Sequence, residues 1–267
     1  MGLAKRFAYL LALFLMASHA LAAHALAAEP STRPYVLHLP GIAGLTGIDR
    51  AMGRGLEAGA DAEVEYFDWT GDEPGIAALQ AYARNRATAT DIAAKLARFA
   101  SENPTRPITL SSHSGGTGLA VWALEAMPKD TLVQTVLLIA PALSTDYDLS
   151  NALCHVQGKC FAFSSKLDVV MLGAGTKLFG TIDGVFEPAA GLTGFVQPPE
   201  ADPKQYAKLV AVPYQSRWLA VGNIGDHIGP MSGLFARKVL ARIISGNDEV
   251  LVAPATAPSA QPMEIAR

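Results

Sequence analysis

Residues 107–116 read Pro-Ile-Thr-Leu-Ser-Ser-His-Ser-Gly-Gly and run directly into a helix-like segment. A chain that turns sharply from a strand into a helix crowds its backbone at the turn, so the positions two before and two after the turning residue must be small. Ser112 and Gly116 meet this requirement around Ser114, although glycine is the more common residue at the first position. The stretch therefore indicates a nucleophile elbow with the Ser114 hydroxyl at its centre. An ordinary strand end followed by a Ser/Gly turn is the alternative.

Strand-like and helix-like segments alternate on both sides of this stretch. Continuous Val/Ile/Leu-rich strands separated by helices are typical of a parallel sheet covered on both faces. The predicted strands are Tyr35–Leu39, Ala62–Trp69, 107–112, Val133–Ala140, Cys160–Ser164 and Arg217–Val221. The predicted helices are Asp49–Gly59, Thr90–Ala100, 116–127 and Leu234–Ile244. We therefore predict an α/β fold with a mostly parallel central sheet and helices on both faces.

The N-terminal residues have the features of an export signal. Lys5 and Arg6 precede an apolar run over residues 7–17, and Ala25-Leu26-Ala27 is a small-x-small cleavage site. We expect residues 1–27 to be a cleaved signal peptide of a secreted or periplasmic protein. Cleavage after Ala22 and a retained N-terminal anchor are the alternatives.

The rest of the chain is expected to form one domain over residues 28–250, followed by a Pro/Ala-rich, disordered tail over 251–267. No second run of about 20 apolar residues predicts a further membrane span, so no stable span is expected after signal cleavage.

A long glycine- and proline-rich excursion over residues 172–214 interrupts the alternation. It is too long for a simple connection. Loops beyond the carboxyl ends of parallel strands commonly shape the pocket, so we expect the excursion near the site, as a lid or as a surface segment packed under its own side chains. Six apolar side chains within it are candidates for lid or core: Leu178, Phe179, Val185, Phe186, Leu192 and Phe195.

Charge and cysteine content limit the possible partners and ligands. The formal net charge is −3, and no Lys/Arg cluster is present, so nucleic acid is not an expected partner. Cys154 and Cys160 lie six positions apart, which in an oxidising compartment predicts a disulfide closing a short loop. Two free thiols are the alternative if the chain is not exported. His155 lacks the paired ligand spacing of a zinc site, and neither a metal nor a cofactor is predicted.

Ser114 needs a base to take its proton and an acid to orient that base. Asp168 follows the predicted strand that ends at Ser164, and His227 follows the predicted strand that ends at Val221. The carboxyl ends of parallel strands meet at one edge of the sheet, so these side chains are the candidate partners.

Three motifs carry a resemblance to a known family: Pro40-Gly41-Ile42-Ala43-Gly44, Ser112 to Gly116, and Gly225-Asp226-His227. With them, the chain from Tyr35 to about Ile244 resembles secreted α/β-hydrolases of the serine esterase and lipase superfamily. The resemblance implies the α/β-hydrolase fold and the chain order Ser114, Asp168, His227 for nucleophile, acid and base.

The same resemblance implies an oxyanion hole. Its donors would be the backbone N–H of Gly115 and that of Ile42, with Ala43 as the alternative to Ile42. Glycines 41 and 44 would let the backbone approach the substrate closely.

Other acids and histidines compete for these roles. Asp146 and Asp148 follow the preceding strand and are the alternative acids, whereas Asp226 is expected to point away from the serine. Asp183 is expected to anchor a turn through bonds to its own backbone.

His113 would point away from the catalytic face in elbow geometry, so we expect a structural role for it. His38 lies within the first strand, where a core or loop-facing role is expected, and His155 adjoins a predicted disulfide cysteine.

These features together predict an exported serine hydrolase that cleaves a small-molecule or lipid ester through an acyl-enzyme. An acyltransferase with the same triad and a non-catalytic binding protein of the same fold are the alternatives. Haloalkane or epoxide chemistry on this fold uses a carboxylate nucleophile, which the serine at the elbow disfavours.

Overall fold

The structure, a computed structural model, describes residues 31–252. Its strands are β1 (Tyr35–Leu39), β2 (Glu63–Tyr66), β3 (Ile108–His113), β4 (Val133–Ile139), β5 (Val156–Ser164) and β6 (Leu209–Pro213). They form one sheet in the order β2-β1-β3-β4-β5-β6, and every neighbouring pair is parallel. The predicted parallel α/β architecture is confirmed.

The helices are α1 (Gly47–Ala60), α2 (Ile76–Gln80), α3 (Tyr82–Glu102), α4 (Gly116–Glu125), α5 (Ser150–Leu153), α6 (Thr176–Phe179), α7 (Ala190–Thr193), α8 (Pro203–Tyr206), α9 (Gly233–Phe235) and α10 (Ala241–Ile244). Ala236–Leu240, a π-helical stretch, joins α9 to α10, and a second one, Val170–Gly175, precedes α6. Shorter 3₁₀ turns are Ser216–Val221, Gly229–Met231 and Asp248–Leu251.

The sheet separates two apolar cores. In β1, Tyr35, Leu37 and Leu39 face the core that contains residues of α3 and α4, whereas Val36 faces the core that contains residues of α1 and α9. Alternate residues of a strand point to opposite faces of a sheet, so a strand buried on both faces is mainly apolar, and its polar residues need hydrogen-bond partners. This double burial explains why the strands read as continuous apolar runs.

The prediction of a last strand at Arg217–Val221 is wrong. Residues Ser216–Val221 form a 3₁₀ helix, and the last strand is β6, which pairs with β5 from Cys160↔Leu209 to Ser164↔Pro213. Trp218 is buried against Phe163, but Leu219 is 57% exposed, so this segment buries one residue per turn instead of alternate residues. The strand lies inside the glycine- and proline-rich excursion over residues 172–214, for which no strand was predicted.

Two predictions concern terminal residues that lie outside the described range. The predicted signal peptide over residues 1–27 lies outside the described residues, as does the predicted tail beyond Val252. At the start of that tail, Leu251 ends a 3₁₀ turn. Within residues 31–252, no helix combines the length and the apolar character needed to cross a membrane.

The predicted disulfide between Cys154 and Cys160 is also wrong, because both cysteines are free. Cys154 is exposed at the end of α5, where its thiol donates to the Asn151 carbonyl at 2.9 Å. Cys160 is 2% exposed and faces the core from β5, opposite Val136. A helix end in solvent and a strand residue facing the core do not present their sulfur atoms to each other, despite the short spacing in sequence.

The two thiols are expected to differ strongly in reactivity. Burial raises the pKa of Cys160 to about 12, so it stays a thiol that reagents do not reach. In the folded protein, iodoacetamide should modify Cys154 alone, and both cysteines should react in denaturant without a reductant. Mass spectrometry of the peptides distinguishes the cases, and two unmodified cysteines in denaturant would indicate the disulfide instead.

Candidate active site

The turn between β3 and α4 is strained at Ser114, whose φ is 50°. A positive φ is rare for a residue other than glycine, because its Cβ then crowds the backbone. The Ser114 N–H donates to the Ile139 carbonyl at 2.9 Å, and its carbonyl accepts from Thr117 Oγ1 at 2.6 Å. Ser112, two residues earlier, donates from its hydroxyl to the Leu137 carbonyl at 3.2 Å. These contacts to β4 and α4 hold the strained serine in place.

Gly116 has no room for a side chain. A Cβ at this position would lie 2.3 Å from the Pro40 carbonyl oxygen and 2.7 Å from that of Leu39. Both are backbone atoms of the loop after β1, so they cannot move aside as a side chain would. The small residue predicted at this position is therefore required by the close approach of α4 to β1.

Replacing Gly116 by alanine is expected to lower the free energy of unfolding by about 3 kcal/mol, because the overlap with the backbone forces α4 and the loop apart. The control is Gly47→Ala at the start of α1, where an added Cβ meets nothing within 4 Å. Its unfolding free energy should stay within about 1 kcal/mol of the original. Urea denaturation followed by fluorescence measures both, and equal stabilities for the two variants would contradict the steric argument.

Asp168, His227 and Ser114 form a continuous chain of hydrogen bonds. His227 Nδ1 lies 2.6 Å from Asp168 Oδ2, and its Nε2 lies 3.0 Å from Ser114 Oγ. A carboxylate only accepts, so Nδ1 carries the proton and Nε2 of the neutral ring is left to accept from the serine hydroxyl. The structure thus brings together the three residues predicted from sequence, in the geometry needed to remove a proton from Ser114.

The loops that carry the acid and the histidine are tied to each other through Ser165, which follows β5. Its hydroxyl donates to the Gly225 carbonyl at 2.5 Å, and its N–H donates to the Gly191 carbonyl at 2.8 Å. Gly225 has a φ of 85°, and its N–H donates to Asn223 Oδ1 at 2.9 Å. Sequence reasoning did not identify Ser165 as a site residue, and its position directly after the strand was the only signal of this role.

Asp226 takes no part in that chain. Its Oδ1 accepts from the Gly229 N–H at 2.6 Å, so it shapes the loop around His227.

The loop after β1 is held by contacts from the segment that follows β2. The Trp69 indole N–H donates to the Pro40 carbonyl at 2.7 Å, and the Gly75 N–H donates to the Ile42 carbonyl at 2.6 Å. Within the loop, the Gly44 N–H donates to the Gly41 carbonyl at 3.1 Å, and Gly44 has a φ of 74°. The loop is therefore a tight turn fixed at both of its sides.

Two backbone donors border Ser114. Among the described residues, nothing accepts a hydrogen bond from the N–H of Ile42 or from that of Gly115. The two residues lie against each other, since a Cβ on Gly115 would be 2.6 Å from Ile42 Cγ2. Both line a cavity that also contains Ser114, so these two N–H groups are available to an oxygen atom bound there.

Ser114 and His227 lie between two cavities. The first recess is open to solvent, has a volume of about 440 Å³ that includes part of this solvent, and is lined by Ile42, Ile76, Leu79, Gly115, Ala142, Met171, Leu172, Gly175, Thr176, Phe179 and Gly180. The second recess is also open, with a volume of about 630 Å³ counted in the same way, and is lined by Gly41, Ile42, Ala43, Gly44, Thr46, Ile48, Asp49, His113, Met171 and Ile228. Ile42 and Met171 border both and separate them.

His113 does not point away from the site, contrary to expectation. Its Nε2–H donates to the backbone carbonyl of His227 at 3.0 Å, and the two rings lie 4.8 Å apart between centroids. Burial, together with the nearby His227, lowers the pKa of His113 to about 3. It is thus a neutral side chain in contact with the loop of His227.

A second Ser-His-Asp chain lies in the interior. His38 Nδ1 is 3.1 Å from Ser111 Oγ, and His38 Nε2 is 3.1 Å from Asp49 Oδ1. His38 and Ser111 are both fully buried, so this serine is closed to any substrate. Asp49 also accepts from the N–H and the hydroxyl of Thr46, which caps α1. The chain joins β3, β1 and α1 and has a structural role.

Asp49 should contribute to stability in a pH-dependent way. Burial opposes its charge, but the hydrogen bonds from His38 and Thr46 outweigh burial and lower its pKa from 3.8 to about 2. Because the pKa of Asp49 is lower in the folded state than in the unfolded chain, its carboxylate stabilises the folded state at pH values above about 4. This stabilisation is lost as the pH falls from about 4 to about 2. We expect Asp49→Asn to be less stable at pH 6 and to lose less stability over that acidic range, which urea unfolding at several pH values measures. Parallel curves for the two proteins would contradict this.

The competing acids lie elsewhere. Asp146 is exposed, and Asp148 accepts from the Ser150 N–H at 2.9 Å at the start of α5. Asp183 does not bond to its own turn as expected, because its carboxylate accepts from the N–H and the hydroxyl of Ser144 at 3.0 and 2.5 Å. Neither Asp146 nor Asp148 hydrogen-bonds to His227. His155 bonds to the Thr131 carbonyl at 2.9 Å, outside the site.

The start of the excursion borders the site. Leu172, Thr176 and Phe179 line the first recess. Leu178 and Phe186 are 69% and 65% exposed, whereas Leu192 and Phe195 pack against apolar clusters. Some apolar side chains of the excursion are therefore exposed at the surface, and others pack into apolar clusters of the core. Among residues 31–252, no three His, Cys, Asp or Glu side chains are grouped so as to hold a metal ion.

No protein-family profile matches this sequence, and no curated protein matches it either. Solved structures do. Lipase B of Aspergillus fumigatus is 15% identical, with a TM-score of 0.51 over 80% of this chain and 52% of its own. A cutinase-like protein from Cryptococcus sp. is 16% identical, with a TM-score of 0.42 over 82% of this chain and 98% of its own. An esterase from Pseudomonas putida is 14% identical, with a TM-score of 0.44 over 85% of this chain and 76% of its own.

This chain spans about half the length of the Aspergillus lipase. At this level of identity the likeness shows the fold alone: the chain has the α/β-hydrolase fold.

Proposed function

We propose that this protein is a serine hydrolase that cleaves carboxylic esters, with Ser114 as nucleophile, His227 as base and Asp168 as the group that orients the histidine. The observation that carries the proposal is the hydrogen-bond chain from Asp168 through His227 to Ser114, which ends between two open recesses. The buried chain through His38 has the same residue types, but a substrate cannot reach its serine, Ser111. Ser114 has both the hydrogen-bond geometry and an open path for substrate, and this combination favours catalysis at Ser114.

The reaction follows from these contacts. Ser114 Oγ attacks the ester carbonyl carbon while its proton passes to His227 Nε2, and the negative carbonyl oxygen accepts from the N–H groups of Gly115 and Ile42. The tetrahedral intermediate collapses as Nε2 gives its proton to the departing alcohol, which leaves an acyl-enzyme. Water then attacks the acyl-enzyme carbonyl carbon while its proton passes to Nε2. The second tetrahedral intermediate collapses as Nε2 gives this proton to Ser114 Oγ, which releases the acid and restores the Ser114 hydroxyl and the neutral histidine.

Asp168 supports this cycle without giving up its own charge. Its carboxylate holds Nδ1–H at 2.6 Å, which orients the ring and stabilises the positive charge that forms after proton transfer. Fold likeness to a protein named a lipase supports an ester as the substrate, and no cofactor is required.

Reaction with a fluorophosphonate probe and hydrolysis of p-nitrophenyl acetate test this proposal. We expect one probe molecule per protein, located on Ser114 by peptide mass spectrometry, and turnover that the probe abolishes. A folded protein that binds esters but is not labelled and does not turn over would be a non-catalytic binding protein. Acyl transfer to an added alcohol, in preference to water, would identify an acyltransferase.

Export is part of the proposal and rests on the residue pattern of 1–27. Fractionation of cells that express the full chain, followed by N-terminal sequencing, should find the protein outside the cytoplasm with Ala28 or Ala23 at its N-terminus. An intact N-terminus in the cytoplasm would contradict export.

A further inference from the structure

The two recesses on either side of Ser114 are both mainly apolar, but different polar side chains line them. The first recess is lined by aliphatic and aromatic side chains and by glycine backbone, and Thr176 turns its hydroxyl away to the Leu172 carbonyl at 2.9 Å. The second recess has polar groups in its wall, among them Asp49 and His113. An ester placed on Ser114 has two parts, an acyl chain and an alcohol, so each recess has a candidate occupant.

The proton path indicates which part enters which recess. The departing alcohol oxygen must lie next to His227 Nε2, which protonates it. Ser114 and His227 line both recesses, but Ile228, the neighbour of His227, and His113, which bonds to the His227 carbonyl, line only the second. Gly115, whose N–H is the expected donor to the carbonyl oxygen of the bound ester, lines only the first. The alcohol therefore extends into the second recess and the acyl chain into the first.

His113 offers a hydrogen-bond acceptor in the second recess. Because Nε2–H donates to the His227 carbonyl, Nδ1 of the neutral ring is unprotonated. Nδ1 has no partner, and Arg84 Nε is the only side-chain nitrogen or oxygen of the described residues that is both fully buried and unpartnered. Nδ1 is therefore reached from the recess that His113 lines. Gly41 leaves this nitrogen open, since a Cβ there would lie 3.2 Å from it.

Resting on the proposed function, we propose that the second recess is an alcohol subsite in which His113 Nδ1 accepts a hydrogen bond from a further hydroxyl of the alcohol, while the first recess holds an apolar acyl chain. The preferred substrates are thus esters of apolar acids with alcohols that carry a second hydroxyl. His113 is a specificity-determining residue, and Ala142 limits the acyl chain from the wall of the first recess.

The alcohol subsite is tested with 2-hydroxyethyl butyrate and n-propyl butyrate, which differ in one terminal group. A neutral hydrogen bond in a partly buried site predicts a kcat/KM for the hydroxyethyl ester that is about 3- to 10-fold higher. This ratio should fall to about one in His113→Phe and remain in His155→Phe, which alters a histidine outside the site. The ratio within each variant cancels any general loss from the broken bond to His227.

A second variant covers the case in which His113→Phe does not fold. Gly41→Ala keeps His113 but places a methyl group against Nδ1, so the ratio should again fall towards one. A ratio of one in the unaltered protein, or a ratio that survives in the folded variants, overturns the alcohol assignment.

The acyl recess is tested with p-nitrophenyl esters from acetate to decanoate. In Ala142→Leu the recess is filled, so kcat/KM for octanoate relative to acetate should fall at least about tenfold, as steric exclusion of a few methylene groups predicts. Phe179→Ala removes apolar wall instead and should lower the same ratio, whereas Leu132→Ala, at an exposed position outside the recess, should not. An unchanged ratio in both recess variants overturns the acyl assignment.

The labelling and hydrolysis experiments distinguish a wrong subsite assignment from a wrong proposed function. If Ser114 is labelled and esters are hydrolysed, but the kcat/KM ratios do not change when His113 or Ala142 is replaced, only the subsite assignment is wrong. If no ester is hydrolysed and Ser114 is not labelled, the proposed function itself is wrong.

Discussion

Ser114→Ala is expected to lower kcat/KM for ester hydrolysis by at least about 10⁴-fold, because the acyl-enzyme can no longer form and only binding and the oxyanion donors remain. Labelling by the fluorophosphonate probe should disappear as well. The chain should still fold, since the strained φ of 50° and the backbone hydrogen bonds of residue 114 do not depend on its hydroxyl.

Two further serine variants act as controls. Ser114→Gly should be as inactive as Ser114→Ala and at least as stable, because glycine adopts a positive φ without a Cβ penalty. Ser111→Ala removes the serine of the buried His38 chain, on the same strand, and should retain most of the turnover per folded molecule. Appreciable activity in folded Ser114→Ala, or its loss in folded Ser111→Ala, would show that the wrong serine has been assigned.

Asp168→Asn is expected to lower kcat by about 10³- to 10⁴-fold with little change in KM. The carboxylate accepts from His227 Nδ1–H at 2.6 Å and so leaves Nε2 free to take the serine proton. An amide can present its NH₂ group to Nδ1, which places the ring proton on Nε2, where it cannot act as a base. It also removes the negative charge that stabilises the protonated ring.

Asp148→Asn is the matched control for the acid, because Asp148 was a competing candidate and its carboxylate accepts from the Ser150 N–H at the start of α5, away from His227. Its kcat should remain within about twofold of the original, as expected for an exposed position outside the site. Initial rates with p-nitrophenyl acetate at fixed pH measure both variants, with circular dichroism as the check on folding. A larger loss in Asp148→Asn than in Asp168→Asn would reverse the assignment of the acid.

The turn at Ser114 is the part of the site that could be predicted from local sequence. Small residues at 112 and 116 were predicted from a backbone crowding that acts within five residues. In the fold, the requirement at Gly116 comes from its closeness to the Pro40 and Leu39 backbone, so the local pattern marked a position that a tertiary contact also restricts. The parallel sheet could also be predicted from the sequence, because strands buried on both faces are mainly apolar. Both properties are imposed on neighbouring residues of the chain.

Two local patterns were misleading for reasons that the fold explains. Residues 217–221 are apolar enough for a strand, but only Trp218 is buried, and the edge strand lies instead at Leu209–Pro213. Cys154 and Cys160 are close in sequence, yet one is exposed at a helix end and the other faces the core. Spacing along the chain does not reveal the direction in which a side chain points.

The sequence by itself determined the class of sheet, the strained serine turn and a short set of acids and histidines that follow strands. Only the tertiary structure decided that Asp168 meets His227 and that His113 contacts the His227 loop, because these contacts join residues 59 and 114 positions apart. The difference between the two recesses was also decided there. Such contacts depend on which loops the strand order places side by side, and hydrogen bonds that span the sheet leave no periodic trace in the chain.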